Sequence, residues 1–261
     1  MNNQDKNHVI NKLSDTQIQS DPFFHMEIDN ILPDDLAKKL SDEILPYDDP
    51  RWFCYKNKIE DKKLLSDWRQ FPKETYQLFS FLNSPLMLEC LSNTLGVRLQ
   101  PDHGLHGGGW HIHASGGKLN PHLDYSIHPN LGLQRKLNLI IYLCDDWKDS
   151  YGGHFGLWNS NEDGTAAELS KEISMGFNKA VLFDTTQNSW HGMSREVKCP
   201  DGNYRKSIAI YYLIDPVGEV DQRSRALFTP TEKQKGDAEI EDLIEKRSKG
   251  TSAKGVYVES K

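Results

Sequence analysis

A series of short apolar segments separated by turns occupies the second half of this 261-residue chain and limits the folds open to it. The segments are rich in β-branched and aromatic residues, and glycine, asparagine and aspartate are frequent between them. They cover residues 137–144, 154–158, 179–184, 190–197 and 207–214. No helical periodicity separates them, which is typical of a fold in which two antiparallel sheets face each other. We therefore expect a mainly β fold, a double-stranded β-helix (jelly-roll) core with supporting helices.

The first third of the chain has the pattern of those supporting helices. Residues 34–44 repeat leucine or isoleucine every four positions after two acidic residues, which predicts an amphipathic helix. Residues 58–83 have a helical pattern in two pieces that Pro72 interrupts. Ser84 and Gly96 are the expected first and last cap residues of a further helix.

These patterns predict a single domain, because β-rich domains of about 200–250 residues are common. The domain would span residues 21–230, with helical support in 31–96 and the jelly-roll core in 97–216. Residues 1–20 are expected to form a flexible tail. Residues 231–261 are expected to contain one charged helix, followed by a disordered tail from Ser248.

Composition excludes several classes of partner. The net charge of −7 and the pI near 5.8 argue against a nucleic-acid-binding protein, which needs a basic face. No segment approaches the roughly 20 apolar residues of a membrane span, and the polar N-terminus does not resemble a secretion signal.

The four cysteines are far apart and form no Cys-x-x-Cys pair. Since free thiols are typical of a reducing compartment, we expect a cytoplasmic protein.

One motif, His122-Leu123-Asp124, combines with a distant histidine into a candidate metal site. Alternation along a strand places His122 and Asp124 on the same face, and His191 would arrive from another strand. Two imidazoles and one carboxylate can occupy one face of an Fe(II) ion and leave three positions open. Taken singly, His122 could equally be a buried structural histidine, and Asp124 a hydrogen-bond acceptor in a turn. The similar motif that begins at His25 has no comparable partners around it.

The last strong strand begins with a candidate anion-binding residue, Arg205. Because side chains alternate along a strand, Arg205 and Ser207 would lie on the same face. A buried guanidinium requires an anionic partner, such as the carboxylate of a ligand. In the strand at 137–144, the same alternation places Asn138 and Tyr142 on one face. The Tyr142 phenol could donate a hydrogen bond to the same carboxylate. The alternatives are an arginine on an exposed edge strand and a tyrosine at the edge of the core.

Six of the ten histidines lie between His103 and His128, which raises the question of a second metal site. His111 and His113 share a strand face, as two ligands would. We nevertheless expect one metal ion, with His113 beside a co-substrate. The remaining loop histidines are assigned no function: His103, His106 and His128.

The order and spacing of several motifs resemble the Fe(II)/2-oxoglutarate-dependent dioxygenases, specifically their prolyl 4-hydroxylase-like branch. The similar region runs from Trp110 to Leu213. Its matching elements are Gly116-Gly117-Lys118-Leu119, His122-Leu123-Asp124, Arg135-Lys136-Leu137, Tyr142-Leu143-Cys144-Asp145-Asp146-Trp147, Gly152-Gly153-His154-Phe155, Ala180-Val181-Leu182-Phe183, His191 and Arg205-Lys206-Ser207. Cys144 departs from the family, which often has asparagine there.

The resemblance implies that His122, Asp124 and His191 ligate Fe(2+). It also implies that Arg205, with Tyr142 and Ser207, holds the 5-carboxylate of 2-oxoglutarate. His113 and Asn138 are further candidates for contacts with this co-substrate. O2 would be the second co-substrate, and ascorbate is a possible reductant.

The implied reaction is hydroxylation of an unactivated C–H bond with release of succinate and CO2. Halogenation is disfavoured, because related halogenases lack the carboxylate that Asp124 supplies. The sequence leaves open whether the substrate is a prolyl residue of a peptide or a small molecule, lipid or glycan. Two other classes remain open: a non-catalytic cupin-like module that binds a metal or a sugar, and a zinc hydrolase built on the histidine-rich segment.

Overall fold

The computed structural model describes residues 1–186, 188–249 and 256. In this part of the chain the helices are α1 Asn3–Asp15, α2 Asp34–Glu43, α3 Lys73–Leu82, α4 Pro85–Leu95 and α5 Ala238–Lys249. The strands are β1 His25–Asp29, β2 Phe53–Lys56, β3 Glu60–Leu65, β4 Gln100–Pro101, β5 Gly109–His113, β6 Lys118–Leu119, β7 His122–Leu123, β8 Gln134–Leu143, β9 Phe155–Ser160, β10 Ala166–Ile173, β11 Phe177–Asp184, β12 His191–Met193, β13 Arg205–Ile214 and β14 Leu227–Phe228.

The described strands form a larger and a smaller sheet. The larger sheet has the order β1-β11-β8-β13-β5-β3-β2, with β4 paired to β13 and β6 paired to β3. The smaller sheet has the order β10-β9-β12-β7-β14. The strand pairs within both sheets are antiparallel, as the turn-separated segments predicted, and the jelly-roll fold class is confirmed.

Alternation along β13 shows how the larger sheet divides the molecule. Ile208 and Ile210 belong to the main hydrophobic core, where they are buried with residues of α2, α3 and α4. Arg205 and Ser207 point to the opposite face and line a cavity. The helices α2, α3 and α4 therefore cover one face of the larger sheet, which leaves its other face for a site between the sheets.

The helix predicted between Ser84 and Gly96 is present as α4. The Ser84 side chain accepts a hydrogen bond from the backbone N–H of Met87, and Gly96 has a left-handed backbone with φ of 69°. Both are the standard devices that begin and end a helix.

The N-terminal segment differs from the flexible tail that its polar composition predicted. Residues Asn3–Asp15 form α1, which begins with a reciprocal cap between Asn2 and Asp5. Val9 and Leu13 are each 1% exposed in the main core, and α1 contacts α4. Two apolar residues four positions apart are enough to attach the helix, a spacing that the overall polarity of the segment hides.

The helix predicted in the first piece of residues 58–83 is wrong. Residues Phe53–Lys56 and Glu60–Leu65 form a hairpin, and β3 pairs with β5. Lysine, glutamate and leucine favour helices locally, but the ladder with β5 outweighs that propensity.

The C-terminal charged helix is present as α5. Ile240 is buried against Ile59 and Phe228, so the helix packs on the smaller sheet and on the loop before β3. Ser248 is still helical. The rest of the predicted disordered tail, apart from Val256, lies outside the described residues.

Candidate active site

The three predicted metal ligands meet between the two sheets. His122 lies in β7, Asp124 follows that strand, and His191 in β12 is paired directly with His122. His191 Nε2 lies 3.6 Å from Asp124 Oδ2, and His122 Nε2 lies 3.9 Å from Asp124 Oδ1. All three residues are buried, and one ligand atom from each lies within 4.8 Å of the others. The fold thus brings residues 122, 124 and 191 together.

A backbone carbonyl orients each imidazole. His122 Nδ1 lies 3.0 Å from the carbonyl oxygen of Asn120, and His191 Nδ1 lies 2.8 Å from that of Ser189. A ring nitrogen that faces a carbonyl oxygen carries the hydrogen, so the Nε2 lone pairs are left on the side of Asp124. Burial lowers the pKa of both imidazoles, which favours the neutral form that a metal ion requires.

Arg135, a buried arginine to which the sequence motifs gave no role, holds the carboxylate of Asp124 between the two histidines. Arg135 Nη1 lies 3.2 Å from Asp124 Oδ1, and Arg135 Nη2 donates a 2.7 Å hydrogen bond to the carbonyl of His106. The guanidinium carbon lies 3.4 Å and 3.2 Å from the ring centroids of Tyr125 and Tyr211. The side chain is therefore fixed between two aromatic rings, with one edge directed at Asp124.

This arrangement controls the charge of Asp124. Burial alone would raise the pKa of the carboxyl group, but the nearby Arg135 guanidinium and the two imidazoles outweigh it, so the pKa is lowered. Asp124 Oδ2 has no hydrogen-bond partner among the described residues. The carboxylate is thus ionised, with one oxygen held by Arg135 and the other available to a metal ion. The argument that a buried arginine needs an anion, applied to Arg205 in the sequence, would also have identified Arg135.

The same cavity, of about 310 Å³, contains Arg205 at the start of β13. Arg205 is 5% exposed, and its Nε donates a 2.8 Å hydrogen bond to the carbonyl of Gly153. Its guanidinium carbon lies 5.0 Å from the ring centroid of Tyr142 on the neighbouring strand β8. The register places His113 of β5 opposite Arg205. Arg205 is therefore a buried cation with a fixed direction, and not the exposed edge residue of the alternative prediction.

Several buried polar atoms around Arg205 have no hydrogen-bond partner in the described part of the chain. They are the Tyr142 hydroxyl, Asn138 Oδ1 and both ring nitrogens of His113. Burial lowers the pKa of His113 well below its ordinary value and raises that of Tyr142 to about 12, so both are uncharged near neutral pH. Buried polar groups are normally satisfied, so this cluster indicates that a polar ligand completes it. Ser207 lines the same part of the cavity.

Two glycines allow the close approaches that build the site. A Cβ on Gly192 would lie 2.7 Å from the carbonyl oxygen of Asn120, the same oxygen that orients His122. A Cβ on Gly153, whose φ is 70°, would lie 2.9 Å from Arg205 Cδ. A larger side chain at Gly192 would therefore require the backbone to move, and one at Gly153 would displace Arg205 and strain a left-handed backbone.

The other histidines lie in several different environments, some in the cavity and some outside it. His111 and His106 line the cavity, His128 Nε2 lies 3.6 Å from Asp102 Oδ1, and His103 is exposed. His25, from the rival motif, lies in β1 at the edge of the larger sheet. In the described part of the chain, residues 122, 124 and 191 form the group of potential metal ligands.

The residues present fit Fe(II) and 2-oxoglutarate. Two neutral imidazoles and one ionised carboxylate from three points of the fold match the donor set of the iron oxygenases and leave ligand positions open. Arg205, His113 and Asn138 line the same cavity, and Tyr142 lies beside Arg205. The unsatisfied polar atoms of this group supply donors and acceptors for a carboxylate.

Comparison with known proteins agrees with this geometry. Residues 108–213 match the family described as the 2OG-Fe(II) oxygenase superfamily. The fold is similar to that of a prolyl-4-hydroxylase from Pseudomonas putida, at 15% identity and a TM-score of 0.51, over 80% of this chain and 98% of that one. It is also similar to a prolyl 4-hydroxylase from Phytophthora capsici, at 19% identity and a TM-score of 0.50, over 95% of this chain and 77% of that one. No curated protein matched the sequence.

No helix among the described residues is long and apolar enough to cross a bilayer.

The matched region contains the three grouped residues 122, 124 and 191 together with Arg205. The family that it matches uses Fe(II), with 2-oxoglutarate and O2 as co-substrates. Residues 108–213 thus match the 2OG-Fe(II) oxygenase superfamily, and together with the grouped histidines and aspartate this match supports a 2-oxoglutarate-dependent dioxygenase.

Proposed function

We propose that this chain hydroxylates an unactivated C–H bond of a prolyl residue or of a small-molecule or glycan substrate. The observation that carries the proposal is that one cavity of about 310 Å³ contains both the grouped residues 122, 124 and 191 and the buried Arg205. A cavity with a metal-ligand set and a fixed cation suits a co-substrate that chelates the metal and also has a remote carboxylate.

The proposed iron ligands are His122 Nε2, His191 Nε2 and a carboxylate oxygen of Asp124. Their orientation is set before any metal arrives, because backbone carbonyls hold both rings and Arg135 holds Asp124. Groups of this kind behind the ligands typically change metal affinity by about 10- to 100-fold.

The proposed 2-oxoglutarate contacts lie on β5, β8 and β13. The Arg205 guanidinium would hold the remote carboxylate, since Arg205 lines the cavity and its Nε is already committed to the carbonyl of Gly153. Donors in the same group are the Tyr142 and Ser207 hydroxyls. His113 and Asn138 are the remaining proposed contacts.

Bound iron and 2-oxoglutarate supply the oxidising chemistry, in which O2 is consumed, succinate and CO2 are released, and one oxygen atom enters the substrate as a hydroxyl group. The chain itself positions the reactants and excludes water. Phe155 and Phe183 lie 5.8 Å and 4.6 Å from the His191 ring, and Phe228 stacks on His122 at 5.0 Å. These aromatic rings pack against the two proposed ligand histidines, and Phe155 and Phe228 also line the cavity.

The cupin-like alternative is less well supported. A module that only binds a metal or a sugar has no need of a fully buried guanidinium beside unsatisfied polar atoms, because such a group is costly to bury without an anion. The cytoplasmic location remains a prediction from the thiols, and the expected partner is a small-molecule or peptidyl substrate.

The direct test is succinate formation by the purified chain with Fe(II) and 2-oxoglutarate, under air and under nitrogen. We expect slow succinate formation under air without substrate and none under nitrogen. A chain that binds Fe(II) but forms no succinate under air, with or without candidate substrates, would contradict the proposal.

A further inference from the structure

The strand β14 runs beside the segment that carries the first two proposed iron ligands. Leu227 of β14 pairs with Leu123 of β7. Beyond that pair, the backbone N–H of Ser126 donates a 2.9 Å hydrogen bond to the carbonyl of Arg223. Two residues separate Leu123 from Ser126, whereas three separate Arg223 from Leu227. The pairing is therefore interrupted beside Asp124, with one extra residue on the side of β14, as in a β-bulge.

This interruption lies at the cavity. Residues 224–226 line the same cavity as the grouped residues 122, 124 and 191. They belong to residues 215–226, which connect β13 to β14 and which we call the wall segment. The first part of the wall segment, residues 215–219, is exposed. The wall segment therefore reaches from the surface to the lining of the cavity, next to a proposed ligand.

The side chain of Arg223 bridges the interruption. Its Nη1 donates to the carbonyl of Asp124 at 3.1 Å and to the carbonyl of Arg225 at 3.3 Å. Its Nη2 donates to Ser126 Oγ at 3.3 Å. One guanidinium therefore connects both sides of the interruption. The Asp124 carbonyl receives from this side chain the hydrogen bond that a neighbouring strand supplies in a regular ladder.

The local sequence alone does not produce this contact. The chain contains three Asp-x-Arg sequences, and in each the arginine side chain donates to the aspartate two positions before it: Asp49 and Arg51, Asp67 and Arg69, Asp221 and Arg223. The exposed fractions of the three arginine side chains are 43%, 88% and 17%. Among the described residues, the side chains of Arg51 and Arg69 donate to their own aspartate alone. Arg223 is the one of the three that tertiary structure places against a proposed metal ligand.

Two arginines thus hold Asp124 at two different points. Arg135 Nη1 lies 3.2 Å from its carboxylate, and Arg223 donates to its backbone carbonyl. The first contact sets the direction of the carboxylate, and the second sets the position of the backbone that carries it. Movement of the wall segment away from the cavity would break the second contact. The position of the ligand and the closure of the cavity are therefore physically linked.

We infer that Arg223 is a positioning residue that couples closure of the wall segment to metal binding. The inference rests on the proposed function, because it takes Asp124 as an iron ligand. A ligand that is already held in place binds a metal ion more tightly, since less ordering remains when the ion arrives. By linkage, a bound metal ion that fixes Asp124 favours the closed wall segment by the same factor.

The first measurement is the affinity of the full chain for Mn(II) in the presence of 2-oxoglutarate, by titration calorimetry. Arg223→Gln should weaken Mn(II) binding about tenfold or more, which is the usual effect of groups that orient metal ligands. Arg223→Lys should give an intermediate affinity, because it keeps a cationic donor but loses the planar fork.

Arg69→Gln is the matched control. It removes the same charge from the same local Asp-x-Arg motif, at a side chain that is 88% exposed and lies outside the cavity. The affinity for Mn(II) should change by less than about twofold, because exposed ion pairs contribute little. Thermal unfolding of each variant separates a loss of the fold from a loss of the contact.

The second measurement is the rate of cleavage after Glu219 by a glutamate-specific protease, followed by mass spectrometry. Glu219 lies in the exposed part of the wall segment, and cleavage tracks the population in which that segment is open. In wild type, Mn(II) with 2-oxoglutarate should slow this cleavage about tenfold, the reciprocal of the effect on affinity. In Arg223→Gln the same addition should change the rate by less than about twofold, because the link between the ligand and the wall segment is gone.

Equal Mn(II) affinities in folded wild type and folded Arg223→Gln would overturn the inference. If Arg223→Gln does not fold, the wild-type chain still decides the question, since cleavage after Glu219 that does not respond to Mn(II) would also overturn it. A wild-type chain that binds no Mn(II) would refute the ligand set, and the inference with it. Succinate formation under air, measured on the same wild-type preparation, tests the proposed dioxygenase function separately. A chain that forms succinate but shows no effect of Arg223 on Mn(II) affinity would refute the positioning role alone.

Discussion

Replacement of Arg205 by alanine gives the sharpest test of the proposed co-substrate site. Arg205 is 5% exposed and its Nε is held by the carbonyl of Gly153, so solvent has little access to the position of its guanidinium. Two charge-assisted hydrogen bonds to a carboxylate contribute about 1.5–3 kcal/mol each. Together they correspond to a loss of about 3–6 kcal/mol, which is an increase of about 10²- to 10⁴-fold in the KM for 2-oxoglutarate.

The assay is the initial rate of succinate formation as a function of 2-oxoglutarate concentration, for wild type and Arg205→Ala. Metal affinity, measured by calorimetry with Mn(II), should be nearly unchanged, because Arg205 makes no contact with the ligand residues. Arg205→Lys should give an intermediate KM, since it keeps the charge but loses the planar pair of donors.

Arg195→Ala is a suitable control for this experiment. Arg195 is 46% exposed at the side chain and pairs with Glu172 and Asp149 on the surface. Its removal should change the KM by less than about twofold. If Arg205→Ala left the KM within that same range while the protein stayed folded, the assignment of Arg205 to the co-substrate would be refuted.

Four further predictions concern the metal, the arginine behind it, the buried histidines and the N-terminal helix. Asp124→Ala should abolish turnover through loss of bound iron, measured as metal content after gel filtration. Arg135→Met should weaken metal binding about 10- to 100-fold by releasing the ligand carboxylate, measured by Mn(II) titration. Burial lowers the pKa of His111 to about 3 and that of His113 well below its ordinary value, so the unfolded chain binds more protons below pH 6.5. The metal-free protein should therefore lose up to about 1.4 kcal/mol of unfolding free energy per pH unit and per histidine as the pH falls from 6.5, measured by urea titration. Leu13→Ala should destabilise the fold by about 2–4 kcal/mol in the same assay, because Leu13 is buried in the main core.

Each of these has an outcome that would count against it. Full iron occupancy and normal turnover in Asp124→Ala would remove that residue from the site. Unchanged metal affinity in Arg135→Met would mean that the contact with Asp124 has no effect on the metal. A flat dependence of stability on pH between 6.5 and 5 would contradict neutral, buried imidazoles. A Leu13→Ala variant as stable as wild type would indicate that the packing of α1 does not contribute to the free energy of unfolding.

Much of the region around the candidate site was predictable from the local sequence, because strand alternation and helix-capping residues are visible in short stretches of sequence. Alternation in 207–214 and 137–144 predicted which residues face away from the helices, and it placed Arg205 and Tyr142 on the cavity side. The motif at 122–124 needs only strand parity to place both ligand side chains on one face. Ser84 and Gly96 defined α4 because helix caps depend on neighbouring residues alone.

The remaining features depend on contacts between distant residues, and local patterns do not encode those. The segment of β3 has a helix-forming composition, and it becomes a strand only because its backbone pairs with that of β5. Arg135 becomes a partner of Asp124 only because Tyr125, in the loop after β7, and Tyr211, in β13, enclose it. Arg247 reaches Glu60 across 187 residues of sequence. Short-range patterns therefore determined most strands of the core and the candidate ligand motif of this protein. Tertiary packing decided the fate of β3 and the charges that surround the motif, since burial and electrostatic pairing exist only after the chain has folded.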